Sequence, residues 1–257
     1  MGGAKAAMFR LMKLRPPHGW PPVWWELGIV TLGVLIALAA QQMVEAVNDR
    51  RVANETRAAI RAEFNNNLAS LALRGRAGPC ISRRLDELRQ IMISWGKTGQ
   101  FKTPQWVAQA PLADVGLPRY EAAVSAGKLT LLPSTEQYRL GAIADGFTEF
   151  DRIQKEESYV WGRLRALQMG ADALSSSDRT MILQALQEAA TLDYRARSAV
   201  RQQLPFAKEA GYEPDFSEFR RIIGRAYTGG RYTPSICTSI DTPPVDANRT
   251  QVTPLPL

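Results

Sequence analysis

The hydrophobic pattern of this chain is dominated by one apolar segment near its start. Residues 24–47 read WWELGIVTLGVLIALAAQQMVEAV and contain no Lys or Arg. Counted from Val23 to Met43, the segment has about 20 residues, enough to cross roughly 30 Å of hydrocarbon as a helix. The pattern therefore predicts one transmembrane helix, the span, over residues 23–47.

Two other interpretations of this segment stay open. The uncharged stretch from Leu27 to Ala40 has the length of a signal-peptide core, and Ala37–Ala39 matches the A-x-A pattern of a cleavage site. A buried core helix is the third possibility. A retained span is favoured because the preceding arm is long for a signal peptide. It is also favoured because Gln41 to Val47 continues the helix-forming sequence without Gly or Pro.

Aromatic residues at the start of the span indicate where it meets the membrane surface. Trp is enriched at membrane–water interfaces, so we predict an interfacial cluster that contacts lipid. Its members are Trp20, Trp24, Trp25 and Glu26.

One face of the span carries small residues. Gly33 and Ala37 form a small-xxx-small pair that lets another helix approach closely, and Gln41 can hydrogen-bond across such a pair. We predict a partner helix, from a second copy or a larger complex, with the apolar stripe from Ile60 to Leu71 extending the pairing outside the membrane. The alternative is that these small residues face lipid.

Beyond the span, apolar residues recur at helical spacing, which predicts an all-α bundle. One stripe is spaced 4-3-4-3 and consists of Ile81, Leu85, Leu88, Met92 and Trp95. Helix ends are expected at Gly75 and Gly78–Pro79, and at Gly127. Helix starts are expected at the capping box Ser134–Gln137 and after Ser175–Asp178, where the chain restarts.

The C-terminal part of the chain changes in character. Pro205 is expected to kink or break the last long helix, and residues 216–227 are expected to form a final short helix. Residues 228–257 are rich in Pro and Thr and predict an extended tail, held at most by Cys237. The domains are thus a basic arm (1–22), the span (23–47), a helical domain (48–227) and the tail.

Charge and cysteine content favour one orientation in a bacterial inner membrane. The arm before the span carries four basic residues and no acidic one, but Arg50, Arg51, Arg57 and Arg61 follow the span, so the count is nearly a tie. Because a long domain translocates largely regardless of its charge while a short basic arm tends to stay in the cytoplasm, the main domain is expected in the periplasm. The chain has two cysteines, Cys80 and Cys237, which can form a disulfide in an exported domain. The alternative is two unrelated thiols.

Candidate chemistry is sparse. The net charge of +7 is dispersed, with no basic stripe interleaved with aromatics, so no nucleic acid is predicted as a partner. The single histidine, His18, lies in the arm, which excludes a histidine-based triad or a multi-histidine zinc site in the domain. Acidic pairs such as Glu156/Glu157 and Asp145/Glu149 are expected to be solvated. We therefore predict no enzyme, cofactor, metal or catalytic residue.

Three stretches of the chain resemble a known family. The span sequence ELGIVTLGVLIAL at 26–38 and IRAEFNNNL at 60–68 resemble the start of an uncharacterised family of bacterial single-pass membrane proteins. The stretch from Tyr120 to Pro133 is similar to the mid-domain element of that family. The resemblance implies a retained span and a helical domain, and it brings no established activity.

Two function classes follow from these features. The first is a non-enzymatic, membrane-anchored module that binds or scaffolds protein partners at the cell envelope. The alternative is a periplasmic bundle that senses an as yet unknown small molecule through a separate signalling subunit. A cavity lined by arginine and aromatic residues favours sensing, and a flat apolar patch favours a partner surface.

Overall fold

A computed structural model describes residues 20–217 and 235–242 of the chain. It contains four α-helices: α1 (Trp20–Thr98), α2 (Pro118–Ser125), α3 (Ser134–Leu164) and α4 (Ser176–Glu209). Short 3-10 turns connect or follow them, and no β-strand occurs in the described ranges. The all-α prediction is confirmed. The basic arm up to residue 19, and the expected short helix from residue 218 onward, lie outside the described residues.

The chain divides into two compact units, Met1–Val52 and Ala53–Leu257. In the first, which we call the span unit, residues 20–52 are helical, and residues 23–51 are all exposed. The second, the bundle unit, holds the hydrophobic core. The boundary between them falls shortly after the predicted end of the span.

Helix α1 does not end at Gly75 or at Gly78–Pro79, so those predicted boundaries are wrong. A Cβ atom at Gly75 would lie 3.1 Å from Val200 Cγ1, and one at Gly78 would lie 3.3 Å from Arg197 Cδ. These glycines therefore permit close approach of α4 to α1. Core packing on both sides of Pro79 outweighs its loss of one helical hydrogen bond.

The remaining predictions of helix starts and ends have mixed outcomes. A helix starts after Ser175 as expected, where Ser175 and Asp178 form a capping box, and Gly127 follows α2 with a left-handed φ of 66°. The capping box at Ser134 is wrong, because α3 begins there without any side-chain cap. Its intended partner, Gln137, donates instead to the Leu132 carbonyl at 2.8 Å. Pro205 lies inside α4, which continues to Glu209, so the helix does not break.

Three long helices build the core of the bundle unit. Contacts between Arg163 and Glu188, and between Gln203 and Ile143, show that α3 and α4 are antiparallel. The Phe64 ring of α1 lies 5.4 Å from the Phe147 ring of α3. All five residues of the predicted 4-3-4-3 stripe are buried, as expected.

The apolar stripe from Ile60 to Leu71 is also part of this core. Ile60, Phe64, Leu68 and Leu71 are each 0 % exposed. They are covered by their own chain, so the prediction that this stripe extends helix pairing outside the membrane is wrong.

Candidate functional site

The span is the most exposed apolar surface of the described chain. An 18-residue window within it has a mean hydropathy of 2.0, and none of that window is buried. It is the one described helix that is long and apolar enough to cross a membrane. A signal sequence meets the same criterion, so retention of the helix stays a prediction.

The residues predicted to be functional in the span differ in exposure and in contacts. Trp24 and Trp25 are 65 % and 73 % exposed, while the side chain of Trp20 lies outside the description. Gly33 has no atom near its face that would obstruct a Cβ. Gln41 donates through Nε2 to Glu45 Oε1 at 2.8 Å, so its amide is bonded within its own helix.

Cys80 and Cys237 lie at disulfide distance, with their Cα atoms 4.9 Å apart. They are 157 positions apart in the sequence, so the pair closes most of the bundle unit into one loop. Because α1 continues through Pro79, Cys80 lies in the interior of a helix.

Residues 235–242 are bound by much more than Cys237, which overturns the prediction of a tail held at that residue alone. The guanidinium of Arg84, 0 % exposed, donates through Nη2 to the Thr238 carbonyl at 2.7 Å. Through Nη1 it also donates to the carbonyls of Trp106 and Val107. We call this arrangement the tail clamp. It joins α1, the irregular segment 99–117 and the tail.

Burial lowers the pKa of Arg84, and the Glu87 carboxylate partly offsets this effect. Glu87 accepts from Arg84 Nε at 2.7 Å. The backbone N–H groups of Gln105 and Trp106 both donate to the Ile240 carbonyl. Ile236 is completely buried beside them. The described part of the tail is therefore a structural element of the bundle unit.

A second buried arginine, on the same helix, pairs with carboxylates. Arg74 Nη2 lies 2.9 Å from Glu157 Oε1 and 3.0 Å from Asp193 Oδ1. All three side chains are at most 1 % exposed. We call them the buried charge cluster. Arg197, which is half-buried, adds an ion pair to Asp193 Oδ2 at 3.0 Å. The expectation that Glu157 is solvated is wrong.

The buried charge cluster is only partly satisfied. Arg74 Nε and Nη1 are buried and have no hydrogen-bond partner. Burial raises the pKa of the Glu157 carboxyl, and the adjacent Arg74 opposes that rise. Burial thus favours the neutral form of the Glu157 carboxyl, whereas the nearby Arg74 guanidinium favours its charged form.

The cluster was missed because charged residues were assigned to surfaces. A signal was present, since each member lies seven residues from a buried apolar residue of its own helix and so continues the core stripe. These pairs are Arg74 with Ile81, Glu157 with Phe150, and Asp193 with Val200.

A concave site of about 280 Å³ lies where the start of α3 meets the segment after α4. We call it the Arg–Tyr depression, after Arg61, Arg139 and Tyr212 in its lining. Arg61 donates to the Gly211 carbonyl at 2.8 Å, and its guanidinium lies 5.1 Å from the centre of the Tyr212 ring. Burial raises the pKa of the Tyr212 phenol above its ordinary value of 10.0, at which the group is already neutral at pH 7.

The described residues contain no group of three or more His, Cys, Asp and Glu side chains placed to hold a metal ion. Comparison with protein families, curated proteins and solved structures finds no match for this chain. The resemblance to the single-pass family therefore stays a prediction.

Proposed function

We propose that this protein is anchored in a bacterial inner membrane by residues 23–47 and acts as a non-enzymatic module that binds or scaffolds protein partners. The observation that carries the proposal is the complete exposure of the span's apolar window. Exposed apolar surface is unfavourable in water by about 25 cal/mol per Å², so lipid or another helix must cover it.

The Cys80–Cys237 pair supports a periplasmic position for the bundle unit. Disulfides persist in oxidising compartments and are rare in the cytoplasm. The short basic arm, which favours the cytoplasmic side, supports the same orientation.

The contacts that the buried polar residues make support a structural role for these residues. Arg74, Glu157 and Asp193 are closed off from solvent and paired with one another. Arg84 is occupied by backbone carbonyls of the tail clamp. These side chains are occupied by contacts within the bundle, which supports a structural role for them.

A photo-crosslinking residue placed in the span tests the partner proposal. At Ala37, on the Gly33 face, we expect one discrete adduct in native membranes. At Leu35, about 160° around the helix from Ala37, we expect lipid adducts only. The pair serves as a matched control, because both positions lie at nearly the same membrane depth. Equal protein adducts from the two positions, or none from either, would contradict a packed helix face.

A second candidate function is small-molecule sensing by the bundle unit. The Arg–Tyr depression favours it, because arginine and an aromatic ring line one concave site. The scaffold proposal does not require this site, and the two functions can be tested separately.

A further inference from the structure

We propose that the Arg–Tyr depression binds a small organic anion, whose carboxylate or phosphate group lies between Arg61 and Arg139 and whose apolar part contacts Pro133 and the accessible part of Tyr212. This inference rests on the second candidate function, ligand sensing, and names its ligand class. It does not depend on the anchor or on a protein partner.

The charges around the depression leave a positive excess. Glu136 is the carboxylate of the lining, and Arg57 binds it through two hydrogen bonds of 2.7 and 2.9 Å. Arg61 and Arg139 are the remaining charged side chains of the lining. With Arg57 included, three guanidinium groups therefore face one carboxylate. An anion that enters meets a carboxylate that is already neutralised.

Arg139 is the side chain that is free to bind. It makes no hydrogen bond or ion pair with the described residues. Arg61 is held in place by the Gly211 carbonyl and the face of Tyr212, and a guanidinium with five N–H donors is not exhausted by one bond. One arginine is thus preorganised and the other is available, a combination suited to an oxyanion.

The start of α3 adds to the positive potential. Thr135, in the first turn of this 31-residue helix, lines the depression. No side chain caps α3, so its first N–H groups lack a side-chain acceptor. The helix dipole favours an anion at this end.

Size and lining define the rest of the ligand. A volume of about 280 Å³ lies near the lower end of small-molecule sites, which typically begin at about 300 Å³. Pro133, which is exposed, and the accessible 7 % of Tyr212 supply apolar surface that an inorganic ion would not use, whereas Leu140 is 1 % exposed and contributes little. A carboxylate or phosphate on a small apolar body fits both features, whereas a nucleotide-sized cofactor exceeds the space.

Calorimetric titration of the detergent-solubilised full chain tests the proposal. The probes are benzoate and inorganic phosphate, at constant ionic strength set with chloride. We expect saturable binding of one benzoate, with phosphate binding more weakly because it has no apolar part. Absence of saturable benzoate binding, or tighter binding of phosphate, overturns the proposal.

Matched variants locate the site. Arg139→Gln is expected to weaken benzoate binding about tenfold, which is the effect of losing one charge-assisted hydrogen bond. Arg89→Gln removes one positive charge from an exposed arginine paired with Asp86, outside the depression, and should leave the affinity within about twofold of the parent. Circular dichroism verifies that both variants are folded. Equal weakening in the two variants overturns the assignment of the site.

Lipid headgroups also contain phosphate, so a third experiment distinguishes binding of a headgroup from binding of a free ligand. The titration is repeated in nanodiscs of phosphatidylcholine, with and without phosphatidylglycerol. Unchanged benzoate affinity supports a free small molecule. Competition by phosphatidylglycerol assigns the depression to a headgroup and overturns the proposed ligand. Span crosslinking at Ala37 is measured on Arg139→Gln as well, so failure of one proposal is distinguished from failure of the other.

Discussion

The span unit and the bundle unit distribute charge in opposite ways. Residues 27–44 contain no charged side chain, although every one of them is exposed. The bundle unit buries Arg74, Glu157 and Asp193 at 1 % exposure or less. A low-dielectric environment excludes an isolated charge, but it accepts charges that compensate each other. The apolar stretch of the span contains no charge at all, whereas the core of the bundle contains charges that compensate each other.

Removal of one member of the buried charge cluster should have the largest effect. Arg74→Met leaves Glu157 and Asp193 as uncompensated carboxylates in the core. We expect a loss of about 3–5 kcal/mol in the free energy of unfolding, measured by urea denaturation of the full chain in detergent. Arg152→Met, which removes an exposed arginine of α3, should have a far smaller effect, because water screens surface ion pairs.

A triple variant sharpens this result. Arg74→Met combined with Glu157→Leu and Asp193→Leu removes the whole cluster and should recover most of the lost stability, since apolar replacements of buried ion pairs are often neutral or better. If the triple variant is as unstable as Arg74→Met alone, the instability comes from lost packing and not from unpaired charge.

Loss of the Cys80–Cys237 pair should have the next largest effect. Cys80→Ser with Cys237→Ser opens a loop of 157 residues, and we expect a loss of about 2–4 kcal/mol. The residual tail clamp, centred on Arg84, should keep residues 235–242 protected in hydrogen exchange. The reduced parent should match the double variant. A parent that is insensitive to reductant would indicate that the pair is not bonded.

A single charge in the span tests the other side of the comparison. Leu35→Arg places an isolated cation near its centre, with an expected insertion penalty of about 2.5–3.5 kcal/mol. The fraction of chain that resists alkaline carbonate extraction should fall, whereas Leu35→Ile should behave like the parent. Full retention of the arginine variant would argue that this face contacts protein or water.

The smallest effect concerns pH. Burial raises the folded pKa of Glu157 above its ordinary value of 4.5, so above that pH the folded state binds more protons than the unfolded state. The stabilising contribution of this group is therefore lost as the pH rises from about 4.5 toward the folded pKa. Glu157→Gln should remove this decline from the pH profile of the free energy of unfolding.

Glu149 of the same helix provides a control of opposite sign. Its hydrogen bond from Arg152 lowers its pKa, so its contribution is present above the ordinary value and is lost as the pH falls. Glu149→Gln should flatten the acid limb of the profile and leave the limb above pH 4.5 in place. A change of the same sign in both variants would contradict the assigned environments.

The sequence predicted the helices better than their ends and their polar contacts. Apolar spacing located the core stripes, because burial imposes that period whatever the partner helix is. Gly75 was misassigned as a helix end, since only the packed structure shows that Val200 needs the space. The binding of residues 235–242 depends on Arg84, more than 150 positions away, and no local pattern reports such a contact. The arginine lining of the depression was likewise not predictable, because Arg61 and Arg139 come from different helices.

The central claim is an anchored chain whose bundle unit lies in an oxidising compartment. The direct test is thiol labelling of Cys80 and Cys237 in membranes of the native cell, after denaturation, with and without prior reduction. We predict a full-length, membrane-bound chain that is labelled only after reduction. Labelling that is complete without reduction would show that the two cysteines are not bonded and would contradict the account.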